Sequence, residues 1–67
     1  MQRERYKDTL WVVDAIGNVY DVQRFVTVID GREGADFYRL GDGTPIRRID
    51  ENDFEIGLSG EVRARRI

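Results

Sequence analysis

Two of the side chains most useful for chemistry are missing from this chain, which contains no histidine and no cysteine. Nucleophile–base pairs of the Ser–His and Cys–His kinds are therefore excluded. So is a zinc site built from the usual Cys and His ligands. Ser59 is the only serine, and it stands between Leu58 and Gly60 in an expected turn, with no base beside it. Carboxylates are plentiful, and the densest group is Asp50, Glu51, Asp53 and Glu55, with Asn52 among them. Hard oxygens of this kind can attract calcium or magnesium. The spacing lacks the Asp-x-Asp-x-Asp-Gly run of a calcium loop, and Asp-Glu-Asn-Asp reads as a turn between two strands. The glycine-rich Gly41-Asp42-Gly43-Thr44 has no following lysine and so is not a phosphate loop. No metal, no cofactor and no catalytic group is expected, and a domain this small has little room for an enzyme-sized pocket.

Binding is the chemistry that remains. Arg47, Arg48, Arg63, Arg65 and Arg66 gather in the C-terminal third. Small barrels hold single-stranded nucleic acid by combining a basic groove with exposed aromatic rings, and Trp11, Phe37 and Tyr38 could supply the rings. Two features oppose this reading. Arg47 and Arg48 are adjacent, so on a strand they point to opposite faces. The aromatics are also the residues that a small core most needs. The expectation is therefore a non-enzymatic binding module that offers a sheet edge or shallow aromatic groove to a protein partner or a second copy. Nucleic acid held by the five arginines is the alternative.

The elements that would position these residues are strands. Glycines at 17, 31, 34, 41, 43, 57 and 60 separate runs rich in strand formers, at residues 9–14, 18–29, 36–40, 44–49, 53–56 and 62–66. Short strands between glycine turns predict an all-β barrel or sandwich. Trp11, Phe37 and Phe54 each stand six residues before a glycine, which reads as three successive hairpins. In the last, a three-residue loop at Leu58-Ser59-Gly60 sets Ile56 opposite Val62 and Phe54 opposite Ala64. The other face then pairs Glu55 with Arg63 and Asp53 with Arg65, and a slip of one residue would destroy both patterns. The same rule at Gly41-Asp42-Gly43 pairs Tyr38 with Ile46 and Leu40 with Thr44, with a two-residue turn at Asp42-Gly43 as the alternative. Pro45 belongs at an edge or a strand start.

Residues 19–29 are crowded with β-branched side chains and read as a strand, with a short helix within 21–29 as the alternative. Val22 and Phe25 differ in parity, so a bulge near Gln23-Arg24 is expected if both face inward. Residues 30–34 read as a polar loop, and residues 1–7 as a flexible N-terminal segment. The expected fold is an antiparallel meander of five or six strands closing into a small SH3-like barrel. Its core would hold Trp11, Val13, Val22, Phe25, Tyr38, Leu40, Ile46, Phe54, Ile56 and Val62. The alternative is an α+β arrangement.

Sixty-seven residues make one domain, with a thin stability margin and a formal net charge of −2. That balance is neither the large net charge of a disordered chain nor the basic one of an obligate nucleic-acid binder. No apolar run approaches the length of a membrane helix, and the charged start carries no secretory signal. A cytoplasmic location without membrane contact is the expectation. Finally, Tyr-Arg-Leu-Gly-Asp-Gly-Thr-Pro-Ile at 38–46, Ile-Asp-Glu-Asn-Asp-Phe-Glu at 49–55 and Gly-Glu-Val-Arg at 60–63 carry a resemblance. The C-terminal half is similar to short uncharacterised bacterial all-β proteins of unknown function. The shared elements are turns and strands, so the resemblance implies a fold and a bacterial source but no activity.

Overall fold

β-Branched and aromatic residues fill the runs between the glycines, and in the computed structural model, which describes residues 2–67, these runs are strands. They are β1 (Gln2–Asp14), β2 (Val19–Ile29), β3 (Arg32–Leu40), β4 (Pro45–Arg48), β5 (Asp53–Ile56) and β6 (Val62–Arg66). Each pairs antiparallel with the next, and β1 pairs with β6, so the meander closes into a six-stranded barrel. No helix occurs among the described residues. Residues 21–29 lie in β2, as their branched side chains favour.

The turns follow the glycines. Gly43 and Gly60 take φ of 91° and 67°, the left-handed conformation that closes a three-residue hairpin loop. The pairs are Tyr38 with Ile46, Phe54 with Ala64, Ile56 with Val62, Asp53 with Arg65 and Glu55 with Arg63. The Leu40 N–H donates to the Thr44 carbonyl at 2.9 Å, and Pro45 opens its strand. The expected polar loop at 30–34 is much shorter. Asp30 and Gly31 alone make the turn, at φ of 50° and 80°, and residues 32–34 already belong to β3.

The barrel core is a cluster of Leu10, Val12, Val22, Tyr38, Phe54, Ile56 and Ala64, with Tyr20, Leu40, Ile46 and Val62 packed against it. Tyr38 and Phe54 meet edge to face, with centroids 5.5 Å apart. Three expected core residues lie elsewhere. Leu10 and Val12 point inward, so Trp11 and Val13 point out, and Trp11 is 56% exposed. In β2 the inward positions are Val22 and Val26, which share a parity. The strand therefore needs no bulge at Gln23-Arg24, and Phe25 lies on the outer face. The bulges fall on its neighbours instead, at Lys7 in β1 and near Gly34-Ala35 in β3.

β1 is longer than the barrel is tall. β6 covers only Val12–Asp14 of it, and β4 pairs with β3 only at Tyr38 and Arg39. The rest of β1, β2 and β3 continues past the barrel as a three-stranded arm. Thirteen residues at about 3.3 Å each span about 43 Å, and the molecule measures 42 × 22 × 21 Å. Its radius of gyration is 12.5 Å, against about 11 Å for a compact chain of this length. The expected flexible segment at 1–7 is corrected for its described residues. Gln2 to Tyr6 pair with Ile29 to Phe25 and form one edge of the arm; Met1 lies outside the described residues.

Candidate binding face

Alternation along a strand decides which side chains meet. On the outer face of β1–β2–β3, three rows follow from the register: Tyr6 beside Phe25 beside Phe37, Thr9 beside Gln23 beside Arg39, and Trp11 beside Asp21. The first row is a stack of rings. Tyr6 meets Phe25 edge to face with centroids 5.8 Å apart. Phe25 and Phe37 lie nearly parallel at 5.5 Å. The Arg39 guanidinium carbon sits 4.0 Å from the Phe25 ring centroid and 5.9 Å from that of Phe37, close enough for attraction by the ring faces. The Tyr6 hydroxyl shares a 2.6 Å hydrogen bond with that of Thr9. Tyr6 keeps half its surface exposed, and Ile29 and Val19 on the same face are also exposed. Four of the chain's seven aromatic residues thus lie outside the barrel.

Ion pairs bracket this sheet on both sides. Arg39 on β3 reaches Glu4 on β1 at 3.4 Å, across the outer face of β2. On the inner face Arg5 pairs with Glu33, and Lys7 reaches Asp36 at 3.4 Å. All three pairs join β1 to β3 over the central strand, and beneath the inner ones Val26 is fully buried. Each is too exposed to contribute more than a fraction of a kcal/mol. Together they fix the edges of a sheet that has no second layer.

The five arginines of the C-terminal third do not form one patch. Arg47, Arg63 and Arg65 share the outer face of β4–β5–β6 with the acids of β5. The Arg47 Nε donates to Glu55 Oε1 at 3.1 Å, Arg63 is Glu55's cross-strand partner, and Arg65 lies 3.6 Å from Asp53. Arg48 and Arg66 face the other way, opposite Phe54 and Val12. Arg48 Nε donates to the Asp50 carbonyl at 2.9 Å, and its Nη1 approaches the Tyr38 hydroxyl at 3.5 Å. Across from Tyr38 on β2, Arg24 Nε donates to Asp8 at 2.8 Å. That carboxylate raises the pKa of Arg24.

The carboxylates that suggested acid–base chemistry are occupied in turns. Asp50 accepts the N–H groups of Asn52 and Asp53, each at 2.9 Å, and these hold its pKa below the ordinary value. Asp42 accepts the Thr44 hydroxyl at 2.7 Å and its N–H at 2.9 Å, with the same effect. At Asp14 partial desolvation pushes the pKa up. The Tyr20 hydroxyl at 2.8 Å, with the N–H groups of Asn18 and Ile16, outweighs it, and the net direction is down. The Ser59 hydroxyl donates to Glu61 at 3.1 Å in the last turn. Among the described residues no group of acids is placed to hold a metal ion.

Sequence reading missed the outer face because it assigned Trp11 and Phe25 to the core and took Tyr6 as part of a flexible segment. The signal was present in the opposite parities of Val22 and Phe25 on one strand. A strand that carries large apolar residues at both parities has two covered faces, and only one of them can belong to the barrel. The chain matches no protein-family model, no curated protein and no solved structure, so the site rests on its own geometry. No helix among the described residues is long and apolar enough to cross a membrane.

Proposed function

We propose that this protein is a non-enzymatic interaction module that binds a protein partner through the outer face of β1–β2–β3. The observation that carries the reading is the outer face itself, where exposed Tyr6 and Trp11 flank the partly buried rings of Phe25 and Phe37 and the Arg39 guanidinium. Trp, Tyr and Arg are the residues that dominate binding energy at protein interfaces, while Lys and Glu are depleted there. Support for a binding rather than a catalytic role comes from the carboxylates, which are taken up by turn N–H groups and ion pairs. The absence of cysteine fits a reducing compartment, and we assign the module to the bacterial cytoplasm in line with the resemblance of its C-terminal half.

Nucleic acid is the second reading, because exposed rings on a small barrel also stack with bases. The charges weigh against it. Phosphate binding needs several unpaired cations, and Arg39, Arg47 and Arg65 each have a carboxylate partner.

The test is selection of a displayed peptide library against the immobilised protein, followed by titration of the selected peptides. Binding should fall about 30-fold or more in a Tyr6→Ala/Trp11→Ala variant, the loss that corresponds to about 2 kcal/mol at a dominant contact. Equal binding by that variant would move the working surface elsewhere. Salt-sensitive binding of single-stranded oligonucleotides, with no selected peptide, would put the second reading first.

A further inference from the structure

The proposed face adjoins an open strand edge, and the two together specify how a partner would dock. We propose that the partner adds an extended strand to the free edge of β1, in line with β6, and that this strand alternates acidic with apolar residues. The inference rests on the binding reading above and deepens it.

The geometry comes from β6. It runs antiparallel to β1 and pairs with Val12, Val13 and Asp14, and the Ile67 N–H donates to the Trp11 carbonyl at 3.0 Å. Beyond that bond, toward Gln2, no strand lies beside β1 among the described residues. N–H and C=O groups alternate sides along an antiparallel strand. The Trp11 carbonyl faces β6, so the N–H and C=O of Thr9 face the same side, where no strand stands. An added strand would pair there and turn the arm into a four-stranded sheet that continues the barrel's own ladder. Peptide recognition by strand addition works in this way, with backbone bonds for affinity and side-chain alternation for specificity.

Side chains along the edge define the added strand. On the inner face β1 presents Arg3 and Arg5, whose cross-strand neighbours are Val28 and Val26. On the outer face it presents Tyr6, Thr9 and Trp11. A strand laid beside it meets Arg3 and Arg5 on one face, Arg5 already paired with Glu33, and on the other the rings with Glu4, which Arg39 engages. Acidic residues toward Arg3 and apolar ones toward the rings, in alternation, satisfy both. β5 already shows that pattern in this molecule, where Asp-Phe-Glu-Ile lies beside Val-Arg-Ala-Arg.

A second copy does not fit the same edge. A two-fold pairing of two β1 edges keeps every residue on its own face, so Arg3 and Arg5 of one copy would meet Arg3, Arg5 or Asp8 of the other, and Asp8 is already engaged by Arg24. Each edge strand of the arm carries one bulge, at Lys7 in β1 and near Gly34-Ala35 in β3, and a strand pairing at Thr9 would lie on the barrel side of the first. Charge on β1 thus selects against self-pairing and for an acidic strand.

The test uses a labelled peptide of alternating valine and aspartate or glutamate, with a scrambled peptide and one carrying lysine for the acids as controls. Fluorescence anisotropy should show binding by the alternating peptide alone, weakening as salt rises. Amide exchange at Thr9 should slow in the complex. Thr9→Pro removes the edge-facing N–H at a position where an edge strand tolerates proline, and binding should fall about tenfold or more. Thr9→Val keeps that N–H while losing the hydroxyl bonded to Tyr6, and should bind at least about threefold more tightly than Thr9→Pro does. Arg3→Glu should weaken binding about fivefold or more. Unchanged binding by Thr9→Pro, no binding of the alternating peptide, or an increase of the free protein's mass with concentration would each overturn strand addition. Loss in Tyr6→Ala/Trp11→Ala alongside unchanged Thr9→Pro would do so while leaving the outer face as the binding surface.

Discussion

The barrel and the arm share three strands, β1, β2 and β3, and are held together by different means. In the barrel a second layer, β4–β5–β6, covers the inner face, and Val12, Val22 and Phe54 lose essentially all contact with water. In the arm no second layer exists. Its apolar side chains shelter one another, the rings of Tyr6, Phe25 and Phe37 on one face and Val26 beneath ion pairs on the other. A sheet with one layer can be stiffened by contacts across three strands, but those contacts stay near solvent. They are consequently the part of the molecule that salt, substitution or a partner can reach.

The sharpest way to break the comparison is to remove a ring from each region. Phe54→Ala should cost about 3–5 kcal/mol, as for other buried phenylalanines. The whole domain has about 3–10 kcal/mol at its disposal, so thermal melts by circular dichroism should show it unfolded or nearly so at 37 °C. Phe25→Ala should cost about 1–2 kcal/mol, since it removes a partly buried ring and two ring contacts. Amide exchange should speed up at residues 2–7 and 25–36 while the barrel amides keep their protection. A global loss equal to that of Phe54→Ala would show that the arm and barrel are one cooperative unit.

Acid and salt should separate the regions next. Asp14, Asp42, Asp50 and Glu61 lie in the turns at the ends of the barrel strands, and all four have lowered pKa values. At Glu61 its own backbone N–H is the main cause, followed by Ser59. A carboxyl whose pKa is depressed by folding stabilises the native state fully above its unfolded value, which is 3.8 for Asp and 4.5 for Glu. That contribution disappears as the pH falls through the lower, folded value. Stability should thus be level above about pH 5 and decline below pH 4, with exchange rising first at the barrel turns. Asn at position 14 should flatten part of that decline. Salt should act on the arm instead. At about 1 M NaCl the screening length is about 3 Å, and the three straps should lose a few tenths of a kcal/mol each. The readout is faster exchange at residues 2–7 with the melting midpoint almost unchanged.

Much of this fold could be read from the sequence wherever a turn residue and a charge pattern agreed. Gly60 placed the last hairpin, and the Asp53–Arg65 and Glu55–Arg63 pairs fixed its register, because a slip would have set apolar residues against charges. Gly43 and Pro45 located the hairpin before it but left its register open between a three- and a two-residue loop. The N-terminal half offered no such cross-check. Leu10, Trp11, Val12 and Val13 are apolar at both parities, so either pair could have faced the core. What decides it is the register with β2, which sets Leu10 against Val22 and Val12 against Tyr20. The arm was hidden for a related reason. Its edge, Arg-Glu-Arg-Tyr-Lys-Asp, has the composition of a solvated tail, and only its partners on β3 turn those charges into straps. As for the candidate site, the arginines were visible but their neutralisation by β5 was only half visible, through Arg63 and Arg65. The binding face was legible only in the mismatch of Val22 and Phe25.

The narrow seam between β1 and β6 also bears on how the chain finds its fold. Every other ladder joins strands that are neighbours in sequence, so hairpins can form one after another with little loop-closure entropy at each step. Only the seam brings distant parts of the chain together, and it consists of Val12, Val13 and Asp14 against Ala64, Arg65 and Arg66. Closure is then a single late event resting on three residue pairs. A strand added beside β1 would lengthen the ladder next to this seam and help to hold it shut.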